Sequence, residues 1–177
     1  WREKMQIHTL RTIREAGAIK RYHTARTIAC ETVAEHSFNV VNLILVLTEG
    51  QASRELILAA LTHDRGELAV GDIPSPIKRA MPEEVHSEIE RREQQAVLAM
   101  HPQVFMELSA EEEHILSLAD KLDGLLKCTE ELKMGNRHII TIGERYCGYV
   151  QSLTEHNPLF RHEAEQIIHA FRAEYLK

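Results

Sequence analysis

Apolar residues recur at helical spacing along almost the whole chain and nowhere alternate in steps of two, so the pattern predicts helices and no sheet. Residues 4–16 place Met5, Ile7, Leu10 and Ile13 at near-helical intervals in a first helix. From Thr32 to Glu49 the chain is apolar over most of a helical circumference, which predicts a buried central helix; Gly50 and Gln51 form its break. Ser53 is a good N-cap for a third helix over 53–68, SRELILAALTHDRGEL. Gly71, Pro74, Pro76 and Pro82 then dictate a loop through VGDIPSPIKRAMP. Pro82 suits the first turn of a long charged helix reaching Met100. Ser109 with Glu112 three residues on resembles a capping box, opening a helix to Met134 that Gly135 and Asn136 end. Two more helices are expected over 137–155 and 159–176. With no repeat, linker or low-complexity tract, the expectation is one all-α domain over 1–177, a bundle of six or seven helices.

Composition narrows the possible partners. The 177 residues fit one domain, and 44% hydrophobic content is enough for a sizeable core. Net charge is -6 with no basic run, so no stable nucleic-acid partner is expected, although a cationic pocket can sit in an acidic protein. Cys30, Cys128 and Cys147 form no C-x-x-C pair; a disulfide framework or cysteine-zinc site is not expected, and a reducing, cytoplasmic setting is the default. The most apolar stretch, Phe38 to Leu47, is broken by Asn39 and Asn42 and is too short to span a bilayer. No signal-peptide pattern is visible, and no membrane partner is expected.

Eleven histidines leave two that stand out. His8, His23, His86, His101, His114, His138, His156, His162 and His169 sit in polar or amphipathic contexts and read as ordinary residues. His63 and Asp64 instead follow the apolar run ILAALT, which puts two ligand-competent side chains where core meets loop. Glu67 lies four residues after His63 and three after Asp64, near both on a helical surface. Imidazole nitrogen plus carboxylate oxygen suits a borderline divalent ion such as Mn, Fe, Co or Zn. In VAEHS, residues 33–37, His36 begins a very apolar helix; it reads as a ligand or as a satisfied helix-start histidine. In SLADKLDGLLK, residues 117–127, Asp120 stands beside a face that looks buried and needs a partner, either a metal or a nearby Lys or Arg.

Taken in order, RYHTARTIACETVAEHS (21–37), HDRGELAVGDIPSPIK (63–78) and LADKLDGLLKCTEEL (118–132) resemble the HD-domain phosphohydrolases. The resemblance is greatest to the small 5′-deoxynucleotidase-like branch, which includes phage-type dATP triphosphohydrolases. It implies an HD-type helical bundle with one divalent transition ion (Co, Mn, Zn or Fe) held by His36, His63, Asp64 and Asp120. It assigns the catalytic acids to Glu67 and Asp72, and the pair that holds the substrate to Arg21 and Tyr22. Three departures stand out. Tyr22 and His23 stand where the branch carries Trp and often Pro, the segment between His36 and His63 is short, and Arg65 replaces a small residue.

The implied reaction is attack of an activated water on phosphorus. Glu67 would orient or deprotonate that water, and Asp72 would protonate the leaving oxygen, or else serve only as an Asx-turn residue. Arg21 and Lys78 would bind phosphate; Arg26, Arg65 and Arg79 read more simply as solvated. Tyr22 would stack on the nucleoside or serve as a core contact. Two substrates fit. The charge of Arg65, Lys78 and Arg79 and the short chain favour a triphosphohydrolase that takes dATP-type purine substrates, with Mg on the outer phosphates, and releases triphosphate. The alternative is a 5′-deoxynucleotidase releasing phosphate from dNMPs. A non-catalytic nucleotide sensor and an all-α interaction module are the rivals from other classes. The resemblance also implies a homo-oligomer, and a host's cytoplasm if the source is a phage.

Overall fold

The structure is a computed structural model that describes residues 7–100 and 107–176, so Met5 and His101 lie outside the described residues. Eight α-helices occur among the described residues: α1 (Ile7–Gly17), α2 (Val33–Leu47), α3 (Arg54–Thr62), α4 (Ser75–Ala80), α5 (Glu83–Met100), α6 (Ala110–Lys133), α7 (Ile140–His156) and α8 (Arg161–Tyr175). Two 3-10 turns, Arg65–Ala69 and Arg137–Ile139, complete the list, and the one β-type contact described is an isolated antiparallel bridge between Lys20 and Thr32.

The helix starts follow local chemistry. Thr32 and Glu35 form a capping box at α2, and Ser109 and Glu112 form another at α6. Ser53 caps α3 by accepting from the Leu56 amide, and its hydroxyl donates to Glu112 at 2.5 Å, tying the start of α3 to that of α6. Gly135, at φ +92°, turns the chain out of α6 in a conformation that other side chains resist.

Two expectations about helices change. The helix predicted over 53–68 stops at Thr62, and the chain tightens into the 3-10 turn from Arg65. The turn lies directly on α5 because residue 66 is glycine: a Cβ there would stand 2.6 Å from Glu93 Cβ and 2.7 Å from its carbonyl oxygen. The loop predicted through VGDIPSPIKRAMP contains α4, an eighth helix. Pro74 caps it and Pro76 lies in its first turn, where the missing N–H costs nothing.

The central helix is α6, not α2. It packs against α2, α3, α7 and α8. Leu118, Leu122, Leu125 and Cys128 meet Cys147, Val150 and Phe171 on one side, and Ile115 and Ala119 meet Val40, Ile44, Leu56 and Ala60 on the other. Helix α2 buries one face and leaves Phe38 67% and Val46 74% exposed. Hydropathy picked the more apolar helix, but burial depends on having neighbours on both sides. α6 carries its charged residues into the interior because they are paired there.

One packing contact gives a direct test. A Cβ on Gly143 would stand 2.1 Å from the buried ring of Phe171. Gly143→Ala should therefore overpack the α7–α8 contact and cost about 1–3 kcal/mol, seen as a lower midpoint in thermal unfolding. An unchanged midpoint would mean that the ring moves aside freely.

Candidate active site

The site forms where α3 ends. His63 is the C-cap of α3, and its Nδ1 donates to the Ala60 carbonyl at 2.8 Å. His36 comes from the buried face of α2, with no exposed surface, and its Nδ1 donates to Asp123 Oδ2 at 2.6 Å. Both Nδ1 atoms thus carry their protons outward, so in the neutral rings both Nε2 atoms present lone pairs. Those two Nε2 atoms face each other at 3.2 Å. Asp64 brings Oδ2 to 3.4 Å from His36 Nε2 and Oδ1 to 3.4 Å from His63 Nε2. Asp120 Oδ1 lies 3.2 Å from His36 Nε2.

Lone pairs and carboxylates pointed at one spot require positive charge there. Burial alone would lower the His36 pKa, yet hydrogen bonds to Asp120 and Asp123 lift it to about 9. The donor set also fits a divalent ion by size. With metal–ligand bonds of about 2.1 Å, neighbouring ligands stand about 3.0 Å apart at right angles and about 3.4 Å apart in a tetrahedron. Among the described residues, Glu31, His36 and Asp123 form one group with ligand atoms all within 4.8 Å of one another, and His36, His63 and Asp64 form the other. Asp120 stands at its edge, because its other oxygen accepts from the Lys121 ammonium at 2.5 Å. The salt-bridge reading of Asp120 is met by Lys121, and its other oxygen stays within reach of His36.

A cleft of about 260 Å³ opens on this point. Arg21, Tyr22, Asp64, Glu67, Asp72, Lys78 and Asp120 line it, while His36 and His63 stand behind Asp64 and Asp120, outside the lining. Glu67 is only 7% exposed, and its Oε2 has no hydrogen-bond partner. Burial, with help from the charges of Asp64 and Asp72, pushes its carboxyl up to about 8. Asp72 faces His23 at 3.7 Å, which gives a histidine read as ordinary a place at the rim. The cations reach the cleft already engaged. Arg21 pairs with Asp64 and, at 3.2 Å, with Glu31, while Lys78 pairs with Glu93 at 2.8 Å. Arg79 lies over the Tyr149 ring, 4.1 Å from its centroid. Burial opposes ionisation of Asp64, but His63, Arg21 and His36 hold its carboxyl below the usual range.

Sequence reading missed several of these residues. Asp123, on the same face of α6 as Asp120, orients His36; the rule that a ligand-competent imidazole needs an acceptor on its far nitrogen pointed to an acid three residues from Asp120. Lys121, Arg145, Tyr146 and Tyr149 also line the cleft. The Tyr146 hydroxyl is 3.1 Å from that of Tyr22, and its ring fills the space above Gly124, where a Cβ would stand 2.3 Å from it. No motif in α7 marked it.

An α-helical bundle with a His-Asp pair at a helix end, facing a second histidine and an aspartate, is the arrangement of an HD-domain phosphohydrolase. Residues 8–172 match the family described as 5′-deoxynucleotidase YfbR-like, and the chain belongs to that family. It is therefore an enzyme of the HD phosphohydrolase class. Similar proteins include a 5′-deoxynucleotidase of Vibrio vulnificus, 33% identical over 72% of this chain and 80% of that protein. Another, from Yersinia pestis, is 33% identical over 69% of this chain and 72% of that protein. Among solved structures, an HD-domain phosphohydrolase of Listeria innocua superposes with a TM-score of 0.67 at 24% identity, over 96% of this chain and 86% of that one. A Pyrococcus horikoshii protein superposes with a TM-score of 0.72 at 20% identity, over 93% and 99%. These two likenesses establish the fold.

Proposed function

We propose that the chain is a metal-dependent 5′-deoxynucleotidase that cleaves deoxynucleoside monophosphates to deoxynucleoside and inorganic phosphate. The observation that carries the chemistry is the convergence of both Nε2 atoms with Asp64 and Asp120 beside the cleft. The relatives named 5′-deoxynucleotidase support the monophosphate over the triphosphate that charge counting favoured. The cation inventory agrees. Arg21, Lys78 and Lys121 each pair with a carboxylate, which among the described residues leaves Arg145 as the remaining cation of the lining for any further phosphate. The 260 Å³ volume lies near the lower end for small-molecule pockets, about 300–1,000 Å³.

His36, His63, Asp64 and Asp120 are the residues that would hold the ion; one divalent cation there supplies Lewis acidity toward water and toward a phosphoryl oxygen. Glu67 accepts a proton from the attacking water, a role suited to a carboxyl whose proton affinity lies near neutrality. Water oxygen bonds to phosphorus, the bond from phosphorus to the 5′ oxygen breaks, and the proton that Glu67 took from water passes by way of Asp72 to the departing alkoxide. Arg21 and Lys78 offer N–H donors to the phosphate as they exchange their carboxylate partners for it. Tyr22, tied to Tyr146, faces the nucleoside.

Protein reconstituted with a divalent ion should convert dAMP to deoxyadenosine and inorganic phosphate and leave dATP intact. Release of triphosphate from dATP, with dAMP untouched, would replace this reading by the triphosphohydrolase. Binding of either nucleotide without turnover would make the chain a sensor.

A further inference from the structure

The segment between α1 and α2 carries Arg21 and Tyr22 into the cleft, together with Thr24 and Ala25. Its two ends are joined by the Lys20–Thr32 bridge, with the Arg21 amide donating to the Glu31 carbonyl at 2.9 Å and the Val33 amide to the Ile19 carbonyl at 2.9 Å. Tyr22 sits at φ +56°, in the left-handed region, where a bulky residue costs about 1–3 kcal/mol and stays only if its surroundings hold it. The bridge closes the base of this arm; something else must fix its tip.

That anchor comes from the far end of α6. Glu131 has no exposed surface, and its two carboxylate oxygens accept from the Ile28 amide at 2.8 Å and the Ala29 amide at 2.9 Å. Lys127 Nζ donates to the Ala29 carbonyl at 3.0 Å and pairs with Glu131 at 3.2 Å. The Asn136 amide group donates to the Arg26 carbonyl at 2.7 Å and to Glu131 at 2.7 Å. Glu131 lies outside the cleft lining, eight residues beyond Asp123 and therefore about 12 Å along the same helix. α6 thus presents Asp120 and Asp123 to the ligand cluster and Glu131 to the arm.

We infer that Glu131 is a positioning residue for substrate binding: it fixes the arm that carries Arg21 and Tyr22 in register with the histidine–aspartate cluster, through the rigid length of α6. Burial would push this carboxyl up, but the Ile28 amide, Asn136, the Ala29 amide and Lys127 outweigh it and hold it at about 2, so it stays ionised over the enzyme's working range. A buried charge is poor glue compared with well-packed apolar side chains, and what it adds is geometry. Glutamine keeps the shape of glutamate but replaces one acceptor oxygen by a donor. In Glu131→Gln one of the two arm amides would face an N–H group instead of an acceptor.

The test rests on the deoxynucleotide reading above and measures binding and turnover separately, on metal-reconstituted full-length chain. Glu131→Gln should raise the KM for dAMP, and its Kd by calorimetry, by about tenfold or more. It should leave kcat within about threefold of wild type and bound metal unchanged after dialysis. A lower unfolding midpoint with unaltered KM and Kd would reduce Glu131 to structural support and overturn the inference. Loss of metal or of kcat at constant KM would overturn it as well. Should Glu131→Gln fail to fold, Asn136→Ala leaves the Ile28 and Ala29 bonds in place and removes the Arg26 contact; it should raise KM threefold or more, and no rise overturns the inference. Wild type assayed in parallel separates the two readings. If it turns over dATP instead of dAMP, the monophosphate proposal falls and the same comparison is made with dATP. If it binds without turnover, the Kd comparison decides.

Discussion

Asp64→Ala should strip the protein of its divalent ion and lower turnover by about a thousandfold or more, the several kcal/mol that a metal contributes to phosphoryl transfer. Asp64 turns one oxygen to each imidazole, each at 3.4 Å. It also carries the ion pair with Arg21. Removing it leaves a guanidinium beside two histidines with one fewer negative charge between them, so the spot that attracts a cation turns repulsive. Asp64→Asn keeps the volume and one acceptor oxygen, and should fall between wild type and alanine in metal content. Elemental analysis after dialysis, read beside dAMP turnover, separates the effects. Full metal occupancy with normal turnover in Asp64→Ala would place the ligands elsewhere.

The parts of this site that could be read in the sequence are those made of contiguous residues. His63 and Asp64 follow an apolar run, and such a run has to end where a core meets solvent; that placed them near a helix end, although the expected helix ran on to residue 68. Ser53 and Ser109 act through hydrogen bonds to residues three positions away, so their capping chemistry was visible, while the same box at Thr32 and Glu35 went unread. The rest depends on neighbours that are distant in sequence. The turn at Gly66 seats on α5 through the space its missing side chain leaves, and nothing in HDRGEL announces Glu93. Glu131 reads as an ordinary helical acid in CTEELK until the arm amides arrive from a hundred residues away. Lys78 reads as a free phosphate ligand until Glu93 pairs with it, and the triphosphate expectation rested on counting such cations as free. Charge can be read from the sequence; whether a charge is already spent cannot.

Glu67→Gln should keep the divalent ion, hold or raise the unfolding midpoint, and lose turnover by about a hundredfold or more. The stability half follows from the same environment as the catalytic half. Glu67 has an unpartnered oxygen, and burial first, then the charges of Asp64 and Asp72, push its carboxyl up to about 8. Such a group holds its proton in the fold up to about pH 8, whereas in the unfolded chain it ionises above about 4.5, so it costs stability at neutral pH, and a neutral amide of the same shape removes that cost. The amide cannot take a proton from water, so the step that needs a base slows while the fold gains, the usual balance where a strained group serves chemistry. Asp64, His36 and His63 are untouched, so metal content should match wild type, and KM for dAMP should move little. Unfolding curves, elemental analysis and single-turnover rates on one preparation test all three parts. A variant with wild-type turnover would make Glu67 only a buried member of the Arg65–Ala69 turn. A variant that lost its metal would place Glu67 among the ligands instead of beside the water.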